Sequence, residues 1–121
     1  MMKTLFTIAL VVELLFGLGF IAIPGTLVGT FGVTLSDFGI TLARLFGSAI
    51  LGFAVLLWFG RQSSSPETHK AVLASMFTYW VISTIFALMG QLAGLMNVMG
   101  WGTVGLHFVL AIAFGYYLFK E

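Results

Sequence analysis

Four runs of roughly twenty mainly apolar residues, about 4–23, 38–59, 70–93 and 100–119, leave this chain few ways to fold. At 1.5 Å of rise per residue, each run makes a helix about as long as a bilayer's hydrocarbon core is thick. In that medium every backbone polar group needs a partner within its own segment, so the runs are helices. The expected fold is all-α: a four-helix up-down transmembrane bundle forming a single integral membrane domain over 1–121. Composition agrees, with 60% hydrophobic and 7% charged residues, whereas charged residues make up about a quarter of a soluble domain.

Span one follows Lys3 and has the outline of a signal peptide, but no good small-x-small site precedes Pro24, and it reads as a retained span. Pro24 and Gly25 end it. The link PGTLVGTFGVTLSD is too apolar for a free loop. Leu27, Val28 and Phe31 have helical spacing, which predicts a short interfacial helix between spans 1 and 2, with an irregular loop packed over the bundle end as the alternative. Thr34 or Ser36 would cap span two, with Asp37 in its first turn. Ser65, Pro66 and Glu67 form a helix start for span three. A short link, LMNVMG, leads to span four.

With four spans, Lys3, Arg61, Lys70 and Lys120 fall on one side, while the opposite links hold no lysine or arginine. The bias predicts an inner (plasma) membrane protein with both termini cytoplasmic. Trp58, Tyr116 and Tyr117 sit near the inner boundary and Trp101 near the outer one, as interfacial anchors do.

Span two carries Arg44 inside its leading end, beside the small residues Ala43, Gly47, Ser48 and Gly52 that let backbones approach. An arginine within a span costs a few kcal/mol unless it turns inward, pairs or snorkels. Glu13, Arg44, Gln91 and His107 lie roughly 15, 8, 3 and 10 Å below the outer surface, counted at the helical rise. An Arg44–Glu13 pair, with His107 or Gln91 as further partner, is the expected polar cluster. It is either a mutual accommodation of two charges or the wall of an outward cavity for a polar ligand or a proton. Tyr79 and Trp80 lie mid-span and, with Trp101, are candidate linings of an apolar pocket for a lipid tail, a quinone or a sterol-like body.

No cysteine is present, which removes disulfides, thiolate nucleophiles and thiolate metal sites. His69 lies in the link on the far side from His107, so a haem with two histidine ligands from one chain is excluded, and Glu13 with His107 falls short of a catalytic metal's usual three ligands. No metal, resident cofactor or catalytic residue is assigned. Glycine clusters such as GWGTVG follow no strand and precede no lysine, so they are not nucleotide loops. No basic run points to nucleic acid.

Pro24–Gly25, Phe31–Gly32, Ala43–Arg44–Leu45 with Gly47 and Leu51–Gly52, Trp58 near Arg61, and Gly100–Trp101 together resemble small four-span bacterial membrane proteins and, more distantly, the DoxX-like group. Some members of that group are linked to quinone-dependent oxidation. In length, span number and a lone first-span glutamate the chain is also similar to small multidrug resistance transporters. That resemblance implies a proton and substrate role for Glu13.

The leading functional expectation is a non-catalytic protein that holds a lipid-like or small-molecule ligand, or an accessory subunit of a larger membrane complex. The alternatives are a proton-coupled transporter subunit using Glu13, as a homo-oligomer, and an enzyme modifying a lipid or quinone, with Glu13 or His107 as general acid or base.

Overall fold

The computed structural model describes residues 1–120. It contains α1 (Met2–Ala22), α2 (Pro24–Gly29), α3 (Asp37–Gln62), α4 (Pro66–Leu92) and α5 (Gly100–Phe119), with no strand among the described residues. Helices α1, α3, α4 and α5 are each long and apolar enough to cross a membrane, which makes this a multi-pass membrane protein. Its surface is that of a soluble protein reversed: Leu15, Leu45, Phe59, Phe86, Leu92 and Val109 are among many large apolar side chains left exposed.

Local chemistry sets the helix ends. Ser36 caps α3, its Oγ accepting from the Gly39 amide at 3.1 Å, and Asp37 stands in the first turn. Ser65 caps α4 in the same way through Thr68, with Pro66 at the first helical position, so α4 starts a turn before the apolar run begins. Pro24 separates α1 from α2 by removing a backbone donor, and α2 is the short helix expected in the first link. Both links at this end of the bundle turn through a glycine in the left-handed region, Gly32 (φ 76°) and Gly94 (φ 75°). Around Gly94 the amides of Gly94 and Leu95 return to the carbonyls of Gln91 and Gly90, closing α4 with a Schellman motif.

The four long helices form a square in which α1 packs closely along α3 and α4 along α5, while the two pairs touch each other sparsely. What joins them is a core of Leu5, Phe6 and Ala9 from α1, Leu57 from α3, Val72, Leu73, Met76 and Trp80 from α4, and Leu110, Ala111 and Phe114 from α5. These residues come from the first half of α1 and α4 and the last half of α3 and α5. The helices therefore alternate in direction, and the core occupies the half of the bundle that holds both termini. Lys3, Arg61, Lys70 and Lys120 lie at that same end, with the Arg61 guanidinium 5.8 Å from the Trp58 ring and its Nε donating to Thr7 Oγ1, and the Lys120 ammonium 5.5 Å from the Tyr116 ring.

Lipid gives apolar helices no hydrophobic reason to associate, so the α1–α3 pair depends on close van der Waals approach. Gly17 and Gly47 provide it. A Cβ on Gly47 would lie 2.9 Å from both the Gly17 carbonyl oxygen and the Phe20 Cβ, whereas one on Gly52 would meet nothing. Gly47→Ala should therefore lower stability by about 1–3 kcal/mol through overpacking, while Gly52→Ala causes no loss. Thermal unfolding of both variants in the same micelles checks the contrast.

Candidate functional site

In the opposite half of the bundle the two helix pairs stand apart, and a cavity of about 450 Å³ lies between them. Its wall takes Val12, Glu13, Phe16 and Phe20 from α1, Phe46 and Ile50 from α3, Tyr79, Trp80, Ile82, Ser83, Phe86 and Ala87 from α4, and Thr103, Leu106 and His107 from α5. Val28, Phe31, Val33 and Met96, from α2 and the two links, cover the end. Phe46, Ile82 and Phe86 line the cavity and are also exposed, so it reaches the lipid-facing surface between α3 and α4.

Glu13 is the only charged side chain in this wall. It is 2% exposed, and its Oε2 is buried with no hydrogen-bond partner among the described residues. A buried acceptor left in that state costs about 1–3 kcal/mol. Trp80, 1% exposed and anchored in the core on its other side, also lines the cavity, and its indole N–H is buried without an acceptor among the described residues. His107 packs edge-on to Trp80 with ring centroids 5.2 Å apart and to Tyr79 at 6.2 Å. Its Nδ1 lies 2.7 Å from the Thr103 carbonyl oxygen. Since a carbonyl can only accept, Nδ1 carries a hydrogen, which makes Nε2 an acceptor in the neutral ring. Tyr79 packs at a tilt against both Phe53 and Trp80, each with ring centroids 4.8 Å apart, which fixes the aromatic side of the cavity.

The structure separates the other expected members from this group. Arg44 does not pair with Glu13: its side chain is on the exposed side of α3, and its Nε donates to the Ile21 carbonyl at 3.2 Å. The reason is the end of α1, whose last carbonyls lose their helical donors at the Pro24 break, so a cation one helix away completes that terminus and its dipole. Gln91 is buried but lies outside the cavity wall, its Nε2 donating to the Asn97 carbonyl at 3.0 Å and its Oε1 packed against Gly100. Trp101 is half exposed and also stands apart. Of the expected residues, Glu13, His107, Tyr79 and Trp80 share one wall. Among the described residues no three His, Cys, Asp or Glu side chains converge as a metal site would require.

Asn97 has a role that its place in a seven-residue link does not advertise. Its amide N–H donates to the Phe31 carbonyl at 2.9 Å, its side-chain Nδ2 to the Thr30 carbonyl at 3.1 Å, and its Oδ1 accepts from the Met99 amide at 2.9 Å. These bonds tie the α2–α3 link to the α4–α5 link across the end of the cavity. With Gln91 holding the Asn97 carbonyl, they form a latch between helix pairs that scarcely touch at this level.

A family model described as a domain of unknown function, DUF8292, matches residues 7–120, and the chain belongs to that family. Neither the curated proteins nor the solved structures include a match to it.

Glu13→Leu, which replaces the orphan carboxyl with an apolar side chain of similar size, should stabilise the bundle by about 1–3 kcal/mol, measured by thermal unfolding in micelles. Asn97→Ala should speed amide hydrogen exchange about tenfold or more in residues 29–33 and 95–99, since it removes two side-chain bonds of about 1 kcal/mol each, and leave the core end of α1 and α5 protected.

Proposed function

From a chain that belongs to the DUF8292 family and carries this cavity, we propose a membrane protein that holds one lipid-like or small apolar molecule between its two helix pairs. The proposed setting is the inner membrane with both termini cytoplasmic, which the grouping of Lys3, Arg61, Lys70 and Lys120 at one end supports. The cavity then lies in the outer leaflet half, open sideways to the acyl chains.

The observation that carries this reading is the cavity itself: about 450 Å³, walled by phenylalanines, isoleucine and a tyrosine–tryptophan pair, with two buried polar atoms left without protein partners. Its volume is within the roughly 300–1,000 Å³ of small-molecule sites, and an apolar wall with a few convergent polar groups is their usual make-up. The core seals the other half of the bundle, which favours holding a molecule over passing it across. A role beside other membrane proteins is compatible with this. A second apolar groove between α4 and α5, lined by Phe77, Ile85, Phe108 and Gly115, suits an acyl chain or a neighbouring helix.

The test uses farnesene, a C15 hydrocarbon, with purified protein in lipid nanodiscs and a Trp58→Phe/Trp101→Phe background that leaves Trp80 as the reporter. Farnesene should shift and quench Trp80 emission saturably. Ala87→Phe, which places a ring in the cavity, should abolish the response, while Val109→Phe on the lipid face leaves it intact. Equal responses from both variants would remove the cavity as the binding place.

A further inference from the structure

We infer that the occupant of the cavity is an uncharged amphiphile whose head is a hydroxyl group, lodged against Glu13 and Trp80 with its apolar body along the phenylalanine wall toward the α3–α4 opening. This deepens, and rests on, the ligand-holding reading above. Two residues of the cavity wall each carry a buried polar atom without a partner among the described residues, Glu13 Oε2 and Trp80 Nε1, and the two atoms are of opposite kind. Trp80 Nε1–H can only donate, and a carboxyl oxygen of Glu13 accepts. The complementary head must therefore accept one hydrogen bond and donate another. A hydroxyl does both with a single oxygen.

Other common lipid heads fail this match on one side. An ether or ester accepts but cannot donate, which leaves Glu13 Oε2 orphaned. A quaternary ammonium meets the carboxylate but offers the indole N–H no acceptor. An acid or phosphate brings negative charge next to Glu13 into a wall that holds no lysine or arginine, since Arg44 is engaged at the end of α1. His107 adds to the preference, because its Nδ1 is occupied by Thr103 and its Nε2 offers the hydroxyl hydrogen a second acceptor in the same wall. The tail side asks for little beyond apolar bulk: Phe16, Phe20, Phe46 and Phe86 present rings, and Phe46 and Phe86 continue to the exposed surface. An amphiphile entering sideways from the bilayer would bring its head to the deep end and leave its tail at the opening.

A head-group series on one C15 chain tests this: tritiated farnesol in nanodiscs, displaced by farnesene, farnesyl methyl ether, farnesoic acid and farnesyl trimethylammonium, with empty discs as background. Farnesol should bind about tenfold more tightly than the ether, the worth of one hydrogen bond to a buried polar partner. The acid should be weaker still. Glu13→Leu should bring the alcohol down to the level of the ether while farnesene is unaffected, and Glu13→Gln, which keeps an accepting oxygen, should retain most of the difference. Trp80→Phe, which keeps a ring and loses only the N–H donor, should weaken alcohol and ether alike relative to farnesene, because both oxygens accept from the indole.

If alcohol, ether and hydrocarbon bind alike, the hydroxyl inference falls and the cavity reading stands. If the trimethylammonium compound binds tightest, Glu13 is a counter-ion for a cation and the inference is overturned. Should none of the five bind above empty discs, the ligand-holding reading fails, and this one with it. The farnesene response of Glu13→Leu is the folding control, because a collapsed variant loses hydrocarbon and alcohol together.

Discussion

The packing of Phe6, Leu57, Met76, Trp80 and Phe114 is the one place where all four long helices meet, and the rest of the molecule follows from its being at one end only. Within each pair, α1 with α3 and α4 with α5, the helices touch along much of their length. Between pairs, close contact is confined to the half that holds the termini. In water an apolar gap of this kind would be driven shut, because exposing its lining costs about 25 cal/mol for each Å². In a bilayer the lining can meet acyl chains instead, so two helix pairs can diverge without that cost. The cavity is thus a consequence of where the large side chains were placed and of the solvent they were placed in.

Divergence at one end would leave the outer links free to drift, and polar chemistry takes over from packing there. Asn97 bonds both Thr30 and Phe31, Gln91 holds the Asn97 carbonyl, and Gly32 and Gly94 let the two links turn tightly enough to meet. Arg44 closes the end of α1 from α3 in the same region. Hydrogen bonds need more exact geometry than apolar contacts, but each is worth only about 1 kcal/mol net, so this end can open in ways that the packed end cannot. A bundle welded at one end and latched at the other suits a site that must be entered from the side.

Much of this was legible in the chain. Hydropathy gives the four spans, and Ser36 and Ser65 announce two helix starts because a hydroxyl before a first turn satisfies an amide that nothing else can. Depth along a helix was also legible in part: counting residues puts Glu13 and His107 at compatible levels and Tyr79 and Trp80 mid-span, and these four share a wall, whereas Arg44 and Gln91, counted into the same half, do not join it. Direction around the helix was not. Apolar residues surround every span of a membrane chain, so the pattern that marks the inward face of a soluble helix is weak here, and level, reach and opposite charge together do not show that Arg44 points away from Glu13. The signal that could have placed it was the proline after Ile23, which leaves the last carbonyls of α1 short of donors. The Asn97 latch was out of reach for another reason: its partner Thr30 lies 67 residues away in sequence, and no local pattern encodes a contact between two links.

Glu13 carries the strongest physical case for a site, and it rests on a comparison of alternatives at one position. Leucine there would fill the same buried position without any polar atom to satisfy, and nothing in the helix geometry requires a carboxyl. Arg44, the obvious counter-charge, is committed elsewhere. A buried polar group that its own fold does not satisfy is a local inconsistency, and in natural sequences such inconsistencies are expected where function rather than stability sets the residue. The indole N–H of Trp80 repeats the pattern from a different helix, on the same cavity, with the opposite hydrogen-bonding sense. One orphan atom could be an accident of packing. A complementary pair on two helices of one wall, around a space of ligand size, is the arrangement a bound hydroxyl would complete.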